Sequence, residues 1–312
     1  MLKYVTKRLT IAIFTLLLII FILFAILQYM PGTPFNDEKL TSSQIEQLNE
    51  KYGLDKPITV RFKNYVFNIL KGDFGDSYVI QKNMPISDML ANRLSISIRI
   101  GLLAILIGII VGLLLGVVSA VCHSTIFDPI ISFISMLGAS IPSYVFGLLL
   151  MYFIAYKLKA FPVLYSSTES FASIILPSIA LSMFPIASIA RFSRNEMVEV
   201  MNAEYITLAE SKGIEKWEVI LKHALRNAMI PILTVIAPMI VGLMLGSTVI
   251  ESIYSIPGIG NLFVMAIQVN DYNVVIAISL IYSALYIVIM LIVDLLYGVI
   301  DPRIRFVKGE VE

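Results

Sequence analysis

The chain is poor in cysteine, histidine and charged side chains, and each shortage excludes a class of protein. Cys122 is the only cysteine, which excludes an internal disulfide and a zinc site of four cysteines. There are two histidines, His123 and His223, and no His-Glu-x-x-His pattern of the kind that binds zinc. Charged residues make up only 14% of the chain, and the formal net charge is +1. This balance provides no field for binding nucleic acid.

Apolar residues are abundant instead and fall into long runs. They make up 58% of the chain, and the mean hydropathy is +0.87. About 20 consecutive apolar residues cross the hydrocarbon core of a bilayer as a helix. Six segments without Asp, Glu, Lys or Arg reach that length: Leu9–Met30, Ile100–Val121, Pro129–Tyr156, Ser170–Ala190, Asn227–Ile250 and Tyr272–Val293. We therefore predict an all-α integral membrane protein with six transmembrane helices.

The fourth segment differs from the others because Pro177 and Pro185 interrupt it. Proline is tolerated in a transmembrane helix where neighbouring helices or water satisfy the freed carbonyls. We therefore expect the fourth span to lie in the interior of the protein.

Basic residues predict the orientation in the membrane. With the N-terminus inside, the short inner segments contain twelve lysines and arginines, whereas the short outer loops contain only Lys157 and Lys159. We predict that both termini are cytoplasmic. The chain then divides into an N-terminal anchor helix (1–30), an extracytoplasmic loop with short helices (31–95), a transmembrane core (96–300) that includes a cytoplasmic segment (191–228), and a cytoplasmic tail (301–312).

The long outer loop carries helix signals. Ser43 with Glu46 fits a capping box, and Gly53 fits a helix stop. A second helix is predicted over Ile58–Lys71, with one apolar face made by Phe62, Tyr65, Val66, Ile69 and Leu70. We expect this face to contact the protein's own helix ends; the alternative is a second protein outside the membrane.

The inner segment predicts two amphipathic helices joined at a glycine. The first covers Ala203–Lys212 and stops at Gly213, and the second begins near Glu215. The second helix is expected to place its apolar residues on one side: Trp217, Ile220, Leu221, Ala224 and Leu225. Glu218, Lys222 and Arg226 lie opposite at a spacing of four. Six acidic and six basic residues in the segment favour protein docking over a helix pair at the lipid headgroups, where basic residues usually dominate.

The same segment resembles the cytoplasmic signature of binding-protein-dependent ABC importer permeases. The resemblance lies in Glu204-Tyr205-Ile206-Thr207-Leu208-Ala209-x3-Gly213 and in Lys222-His223-Ala224-Leu225-Arg226-Asn227-Ala228 with Pro231. Thr207-Leu208-Ala209 stands where the family has Glu-Ala-Ala, and Leu225-Arg226 stands where it has Leu-Pro. Both departures are similar to the peptide and nickel branch. The resemblance implies that the following residues couple the chain to an ATPase: Glu204, Thr207, Leu208, Ala209, Gly213, Trp217, His223, Leu225 and Arg226.

Further motifs extend the likeness over nearly the whole chain, and they look most like the oligopeptide permease B-type subunit. These motifs are Met30-Pro31-Gly32-Thr33-Pro34-Phe35, Gly72-Asp73-Phe74-Gly75-x-Ser77, Ile186-Ala187-Ser188-Ile189-Ala190-Arg191, Val249-Ile250-Glu251-x-Ile253-Tyr254-x-x-Pro257-Gly258-Ile259-Gly260 and Tyr297-x-Val299-Ile300-Asp301-Pro302-x-Ile304-Arg305. The resemblance implies a type I, MetI-like fold in a bacterial cytoplasmic membrane and an oligopeptide substrate. Dipeptides or a nickel or other metal chelate are the alternatives.

The family also implies the partners. They are a second, C-type permease subunit, two ATPase subunits and an extracytoplasmic peptide-binding protein. ATP and Mg are expected on the ATPase subunits, because this chain contains no Gly-x4-Gly-Lys-Ser/Thr loop to hold the phosphates. No metal or cofactor is expected on this chain, and it is not expected to be an enzyme.

Several polar and small residues in or near the spans have competing interpretations. Pro142, Ser143, Tyr144 and Pro185 are candidates for lining a pathway, because a proline break exposes carbonyls. Arg99 and Glu251 lie near outer helix ends, where we expect them to reach the surface. Glycines at a spacing of four are expected to allow close helix packing: Gly108, Gly112 and Gly116 on the second span, and Gly242 and Gly246 on the fifth.

Two other classes of membrane protein are less consistent with the sequence. An ion-driven secondary transporter usually has internal repeats and ionisable groups at mid-membrane, and neither is evident here. An intramembrane hydrolase needs a paired nucleophile and base inside the membrane. Both histidines lie at the predicted inner face, and His223 belongs to the docking motif.

Overall fold

The structure is a computed structural model that describes residues 2–29, 41–51, 53 and 55–300. The motif at 30–35 lies wholly outside these residues, and the motif at 297–305 lies partly outside them. The predicted cytoplasmic tail also lies outside them.

Helices make up almost all of the regular structure in this part of the chain, which confirms the predicted all-α class. Its elements are α1 Leu2–Tyr29, α2 Ser42–Lys51, α3 Ile58–Ile69, α4 Ile86–Val121, α5 Phe127–Ser140, α6 Ser143–Leu150, α7 Ser170–Met201, α8 Glu204–Ser211, α9 Lys216–Glu218, α10 Leu225–Met244, α11 Thr248–Ile253, α12 Ile259–Gln268 and α13 Tyr272–Ile300. Two π-helical segments, Met151–Lys157 and Val219–Ala224, follow α6 and α9.

Five of the described helices are long and apolar enough to cross a membrane, and a bent pair supplies the sixth span. The pair is α5 and α6, which meet at an angle of 95°. Ile141 and Pro142 adopt extended conformations at the bend, with ψ of 123° and 134°. Proline disfavours a helical conformation in the residue before it and has no N–H to donate, so the helix ends there. The sequence predicted the span and the break, but not the sharpness of the bend.

Helix α7, the predicted fourth span, is the most buried of the candidate spans. It stays helical through Pro177 and Pro185, and α5, α6 and α10 all pack against it. The predicted interior position is therefore confirmed.

The described residues separate into two compact units. Unit 1 contains those before residue 97 and those of Pro257–Ile287, and unit 2 contains Ser97–Ile256 and the described residues from Val288 onward.

In unit 1, α3 packs against α1 through aromatic rings. The ring centroids of Phe24 and Tyr65 are 5.2 Å apart, and those of Phe21 and Phe62 are 5.4 Å apart. The expectation that α3 contacts the protein's own helix is confirmed. Leu70 is an exception, because its side chain is 78% exposed beyond the end of α3.

Helix α2 is capped two residues earlier than predicted. The Thr41 backbone N–H donates to Gln44 Oε1 at 2.9 Å, and Gly53 has a φ of +65°. The Gln44 side chain thus caps the helix at Thr41, and the predicted capping box of Ser43 and Glu46 is wrong. Both pairs fit the same pattern, and the helix begins at Ser42.

A buried carboxylate fastens the remote parts of unit 1 together. Asp271, in the turn before α13, accepts hydrogen bonds from the Ser77 hydroxyl at 2.6 Å and from the backbone N–H groups of Tyr78, Val79 and Ile80 at 3.0 to 3.1 Å. Asn273 Nδ2 also donates to the Asp76 carbonyl at 3.1 Å. Four donors on one carboxylate offset the cost of burying its charge. The Gly72–Ser77 motif therefore adjoins a loop held by residues almost 200 positions later.

In unit 2, the first glycine stripe packs as predicted and the second does not. A Cβ built on Gly108 would lie 2.5 Å from Pro185 Cβ, and one built on Gly112 would lie 2.9 Å from Ile189 Cβ. Helices α4 and α7 therefore approach closely at these positions. In contrast, nothing lies within 4 Å of a Cβ built on Gly242. The prediction for Gly242 and Gly246 is wrong, because Gly246 forms the turn after α10, with a φ of +79°.

Glu251 is also placed differently from the prediction. Its side chain is 2% exposed, and Ser97 Oγ donates to Oε1 at 2.8 Å. The turn at Gly246 ends α10, and Glu251 lies on the separate helix α11, where its carboxylate is buried beside Gly246 and Ser97. Arg99 is exposed, as expected.

Candidate coupling site

Helix α8 is seated on unit 2 through its inner face. Ile206 and Ala209, three residues apart, are buried in a cluster that includes Ala224, Ala228 and Ile232 of the following helical segment. Residues at i and i+3 share one face of a helix, so this pair fixes the rotation of α8. Ala209 therefore holds α8 against its own chain and does not form part of an outward surface.

The outer face of α8 carries apolar side chains that the chain does not cover. Leu208 is 56% exposed and Tyr205 is 44% exposed, and Glu204 and Thr207 are also exposed. Asn227 Nδ2 donates to the Tyr205 hydroxyl at 3.1 Å, which connects this face to α10. An uncovered leucine and tyrosine on a charged helix are typical of a protein contact.

The turn after α8 requires glycine. The Ile214 N–H donates to the Ala209 carbonyl at 3.4 Å, and the Gly213 N–H donates to the Glu210 carbonyl at 2.9 Å. These two bonds form a Schellman motif, in which the residue after the C-cap adopts the left-handed conformation. Gly213 has a φ of +77°, so the predicted stop is confirmed.

The second helix of the segment has a different register from the one predicted. Ile220 and Ala224 are buried, as predicted, but Trp217 is 68% exposed and Leu221 is 41% exposed. Val219–Ala224 is π-helical, and a π-turn takes up one more residue than an α-turn. The apolar residues therefore divide between two faces, and the prediction of one apolar side is wrong. We use the name coupling face for the exposed side chains of Tyr205, Leu208, Trp217 and Leu221.

Charged residues accompany the coupling face. Glu218 and Lys222 form the predicted i, i+4 ion pair, and Arg226 is exposed one turn further along. His223 and Leu225 are partly buried, so they contribute less to the outer surface than Leu208 and Trp217 do. The face thus combines exposed apolar groups with charges of both signs.

Sequence reasoning missed a polar cluster close to the coupling segment. Asp128, at the start of α5, is bound bidentately by Arg194 of α7, with Nε to Oδ1 and Nη2 to Oδ2 both at 2.5 Å. Ser119 Oγ donates to Oδ1 at 2.6 Å, and His123 Nδ1 lies 3.0 Å from Oδ2. The cluster joins the end of α4, the start of α5 and α7. An isolated acid just before an apolar run was its only sequence signal.

A cavity of about 210 Å³ lies beside this cluster, between α4, α5 and α7. Five serines and two arginines are among its twelve lining residues: Ser119, Ser132, Ser135, Ser140, Ser188, Arg191 and Arg194. The predicted pathway residues Pro142, Ser143, Tyr144 and Pro185 do not line it. Pro185 is buried against α4 near Gly108, whereas Tyr144 is exposed at the start of α6. In the described part of the chain, no group of three or more His, Cys, Asp or Glu side chains could hold a metal ion.

The chain was compared with known protein families and solved structures. Residues 89–306 match the family described as the binding-protein-dependent transport system inner membrane component, and residues 1–100 match its N-terminal companion. The chain belongs to this family. Solved structures of the same fold include an inward-facing methionine ABC transporter, with a TM-score of 0.56 and 16% identity over 68% of this chain and 96% of that one. An amino acid ABC transporter has a TM-score of 0.52 and 15% identity over 68% and 94%. The MetI-like fold prediction is confirmed.

Curated members of the family align over nearly the full length of the chain. The dipeptide transport system permease protein DppB of Lactococcus lactis is 43% identical over 98% of this chain and 100% of its own length. The DppB of Bacillus subtilis is 37% identical over 99% of both chains. The oligopeptide transport system permease protein OppB of Escherichia coli is 37% identical over 98% of this chain and 100% of its own.

Proposed function

We propose that this chain is a transmembrane permease subunit of an ATP-driven importer of peptides, and that the coupling face is where an ATPase subunit binds. The observation that carries the proposal is the position of α8. Its inner face is fixed in the core of unit 2, and its outer face presents Leu208 and Tyr205 uncovered. Family membership and the similarity to dipeptide and oligopeptide permeases support a peptide substrate.

The chain's own residues supply the mechanical link in this proposal. When two ATPase subunits close on ATP and Mg, each pulls on the helix that it holds. Because Ile206 and Ala209 are packed against Ala224 and Ala228, a displacement of α8 moves α10 as well. Helix α7 leads into α8 from the other side. Tilting of these spans opens the pathway outward, and hydrolysis returns it to the inward-facing state. The energy comes from the different affinities of each partner for the two states.

The remaining partners follow from the family. We propose a C-type permease subunit beside this chain, a peptide-binding protein on the outer face, and both termini in the cytoplasm of a bacterial cell. This chain takes no part in ATP chemistry. Dipeptides and oligopeptides are both within the proposal, and a nickel or metal-chelate importer is the alternative.

Replacing Leu208 tests the proposal. The importer is assembled with its partner subunits in proteoliposomes, and uptake of labelled di- and tripeptides is measured together with ATP hydrolysis. Leu208→Glu places a charge in the coupling face, and we expect uptake and stimulated ATPase activity to fall by about tenfold, the effect of one unfavourable buried charge. Leu70→Glu is the matched control, because Leu70 is also an exposed leucine but belongs to the outer loop.

Three outcomes would contradict the proposal. Normal uptake by Leu208→Glu and Trp217→Glu together removes the docking role. Uptake that needs an ion gradient and no ATPase indicates a secondary transporter, and uptake of a nickel chelate without peptide uptake indicates the alternative substrate. Orientation is measured separately with Trp217→Cys in a Cys122→Ser background. A membrane-impermeant thiol reagent should label the new cysteine only from the cytoplasmic side.

A further inference from the structure

We propose that Asp128 is a positioning residue for transport, which fastens α5 to α7 so that the movement of the coupling segment reaches the third span. This inference rests on the proposed function, because it concerns how the movement of α8 is passed on within the chain. In this proposal, the ion pair between Asp128 and Arg194 stays formed throughout the transport cycle.

Helix α5 is held weakly by apolar packing within this chain. Of its 14 residues, only Asp128, Ser135 and Gly138 are buried, and none of these has a large apolar side chain. Inside a bilayer, lipid is as apolar as leucine, so packing apolar side chains against α7 would gain little from leaving the lipid. Polar contacts therefore contribute a large share of the attachment of α5. Six of its large apolar side chains are exposed: Phe127, Ile130, Phe133, Ile134, Met136 and Leu137.

Asp128 provides the polar attachment. Arg194 of α7 binds its carboxylate bidentately, and Ser119 Oγ, near the end of α4, donates to Oδ1 at 2.6 Å. Ser140 donates to a carbonyl of α5 itself, and Ser135 Oγ has no hydrogen-bond partner among the described residues. Within the part of the chain that the structure describes, Asp128 is therefore the only α5 side chain that forms hydrogen bonds with another helix.

The part of α7 that carries Arg194 is packed into the same core as the coupling helix. Met197, one turn further along α7, is fully buried in the cluster that contains Ile206 and Ala209 of α8. A displacement of α8 therefore moves this part of α7. Because the guanidinium of Arg194 binds both oxygens of Asp128, the start of α5 moves with it.

Helix α5 can follow this movement because the third span is broken where α5 ends. The chain bends by 95° between α5 and α6, and Ile141 and Pro142 are extended at the bend. Pro142 has no N–H to continue the helical hydrogen bonds across it. The angle of α5 can thus change without an equal rotation of α6. The movement arrives at the start of α6, where Ser143 and Tyr144 are predicted to line the pathway.

Helix α7 is interrupted at the level of this bend. A Cβ built on Gly138 of α5 would lie 3.8 Å from Ala187 Cβ, and one built on Gly147 of α6 would lie 3.4 Å from Ala180 Cβ. Pro185 lies between these two contacts and has no N–H for the carbonyl four residues earlier. The two neighbouring helices therefore share a weak point, and the ion pair lies on the same side of it as the coupling segment.

The burial of the ion pair favours a permanent fastening over a latch that opens in each cycle. Opening the pair would leave Asp128, whose side chain is 9% exposed, without its counterion inside the protein. The loss of one partner from a buried ion pair generally costs more than the free energy that couples two sites in an allosteric protein. Movement of α5 and α7 together therefore costs less than their separation.

The ratio of peptide uptake to ATP hydrolysis tests the fastening in the fully assembled importer. Uptake of a labelled tripeptide and ATP hydrolysis are measured in proteoliposomes at a temperature at which every variant is folded. Asp128→Asn removes the charge and keeps the size, and we expect uptake per ATP to fall by about tenfold, as expected for the loss of one charge-assisted hydrogen bond. Ser135→Ala is the matched control, because Ser135 is a buried α5 residue without a hydrogen-bond partner in the described structure. It should leave the ratio unchanged.

A reversible crosslink distinguishes a fastening from a latch. Cys122→Ser provides the background, since Cys122 is the only cysteine. Asp128→Cys with Arg194→Cys removes the ion pair, so uptake per ATP should be low before treatment. A short bifunctional methanethiosulfonate reagent then joins the two thiols, which mass spectrometry verifies. We expect the crosslink to raise uptake per ATP at least fivefold, and a reducing agent to reverse the gain.

The possible results separate the two proposals. Normal uptake per ATP in Asp128→Asn, or an equal loss in Ser135→Ala, overturns the fastening and leaves the proposed function intact. Uptake that the crosslink abolishes shows that the pair opens in each cycle, and uptake that stays low after crosslinking shows that the loss has another origin. Both of these results also overturn the fastening. Absence of both peptide uptake and ATP hydrolysis in the unaltered importer overturns the proposed function itself.

Discussion

Replacing Gly213 by alanine tests the turn on which the coupling segment depends. Nothing lies within 4 Å of a Cβ built at this position, so the substitution introduces no clash. Its cost comes from the backbone, because a φ of +77° is left-handed and costs a residue with a side chain about 1–2 kcal/mol. This corresponds to about 5- to 30-fold in the population of the turn. We expect peptide uptake per ATP hydrolysed to fall by about fivefold or more in reconstituted importer.

Gly213→Pro should have a larger effect. Proline fixes φ near −65° and removes the N–H that donates to the Glu210 carbonyl, so the turn cannot form. Gly72→Ala is the matched control, since Gly72 has a φ of +81° and also has nothing within 4 Å of its built Cβ. Both alanine variants should lower thermal stability to a similar extent, but only Gly213→Ala should uncouple transport. Wild-type uptake by both Gly213 variants, or an equal loss in Gly72→Ala, would refute the reasoning.

Two further predictions concern the packing of unit 2. Asp128→Ala leaves Arg194 without its carboxylate, and we expect a loss of about 2–3 kcal/mol of stability, measured as a lower melting temperature in detergent. The double variant Asp128→Ala with Arg194→Ala should lose less stability than the sum of the losses in the two single variants. Additive losses would contradict the pairing. Gly112→Ala should destabilise by about 1–3 kcal/mol, because its Cβ would lie 2.9 Å from Ile189 Cβ. Gly242→Ala, where the Cβ meets nothing within 4 Å, should be neutral or slightly stabilising in the same melting assay.

The parts of the fold that could be predicted from the sequence depend on local patterns. Hydropathy identified the spans, because every apolar run that crosses a bilayer must satisfy its backbone hydrogen bonds within a helix. Pro142 predicted the break between α5 and α6, and Gly213 predicted the end of α8. In each case, one residue restricts the backbone whatever its surroundings.

The predictions that were wrong or missing concern side chains whose positions depend on distant contacts or on irregular backbone. The α-helical periodicity predicted Trp217 and Leu221 on the same side as Ile220, but the π-helical segment changes the register and leaves both exposed. Glu251 was expected at the surface because the turn at Gly246, which places Glu251 on a separate short helix, cannot be recognised from spacing alone. Arg194 lies 66 residues from Asp128, so no local pattern connects them.

The candidate coupling site was also predicted only in part. Family motifs identified the coupling segment as a whole, and the periodicity of α8 is consistent with its buried Ile206 and Ala209. Which residues face outward was less predictable, since Ala209 belongs to the motif but is buried. The cavity was missed because its lining comes from three helices, and the pathway prediction relied on prolines instead.

The carboxylate of Asp271 has a consequence for biosynthesis. It holds the loop at residues 77–80 through four hydrogen bonds, yet the ribosome adds it about 190 residues after that loop. In the predicted orientation, a nascent chain that ends before α12 and α13 has exported the loop but lacks the carboxylate that accepts these four hydrogen bonds. Such truncated chains should be cut at this loop by external protease, whereas the finished protein resists.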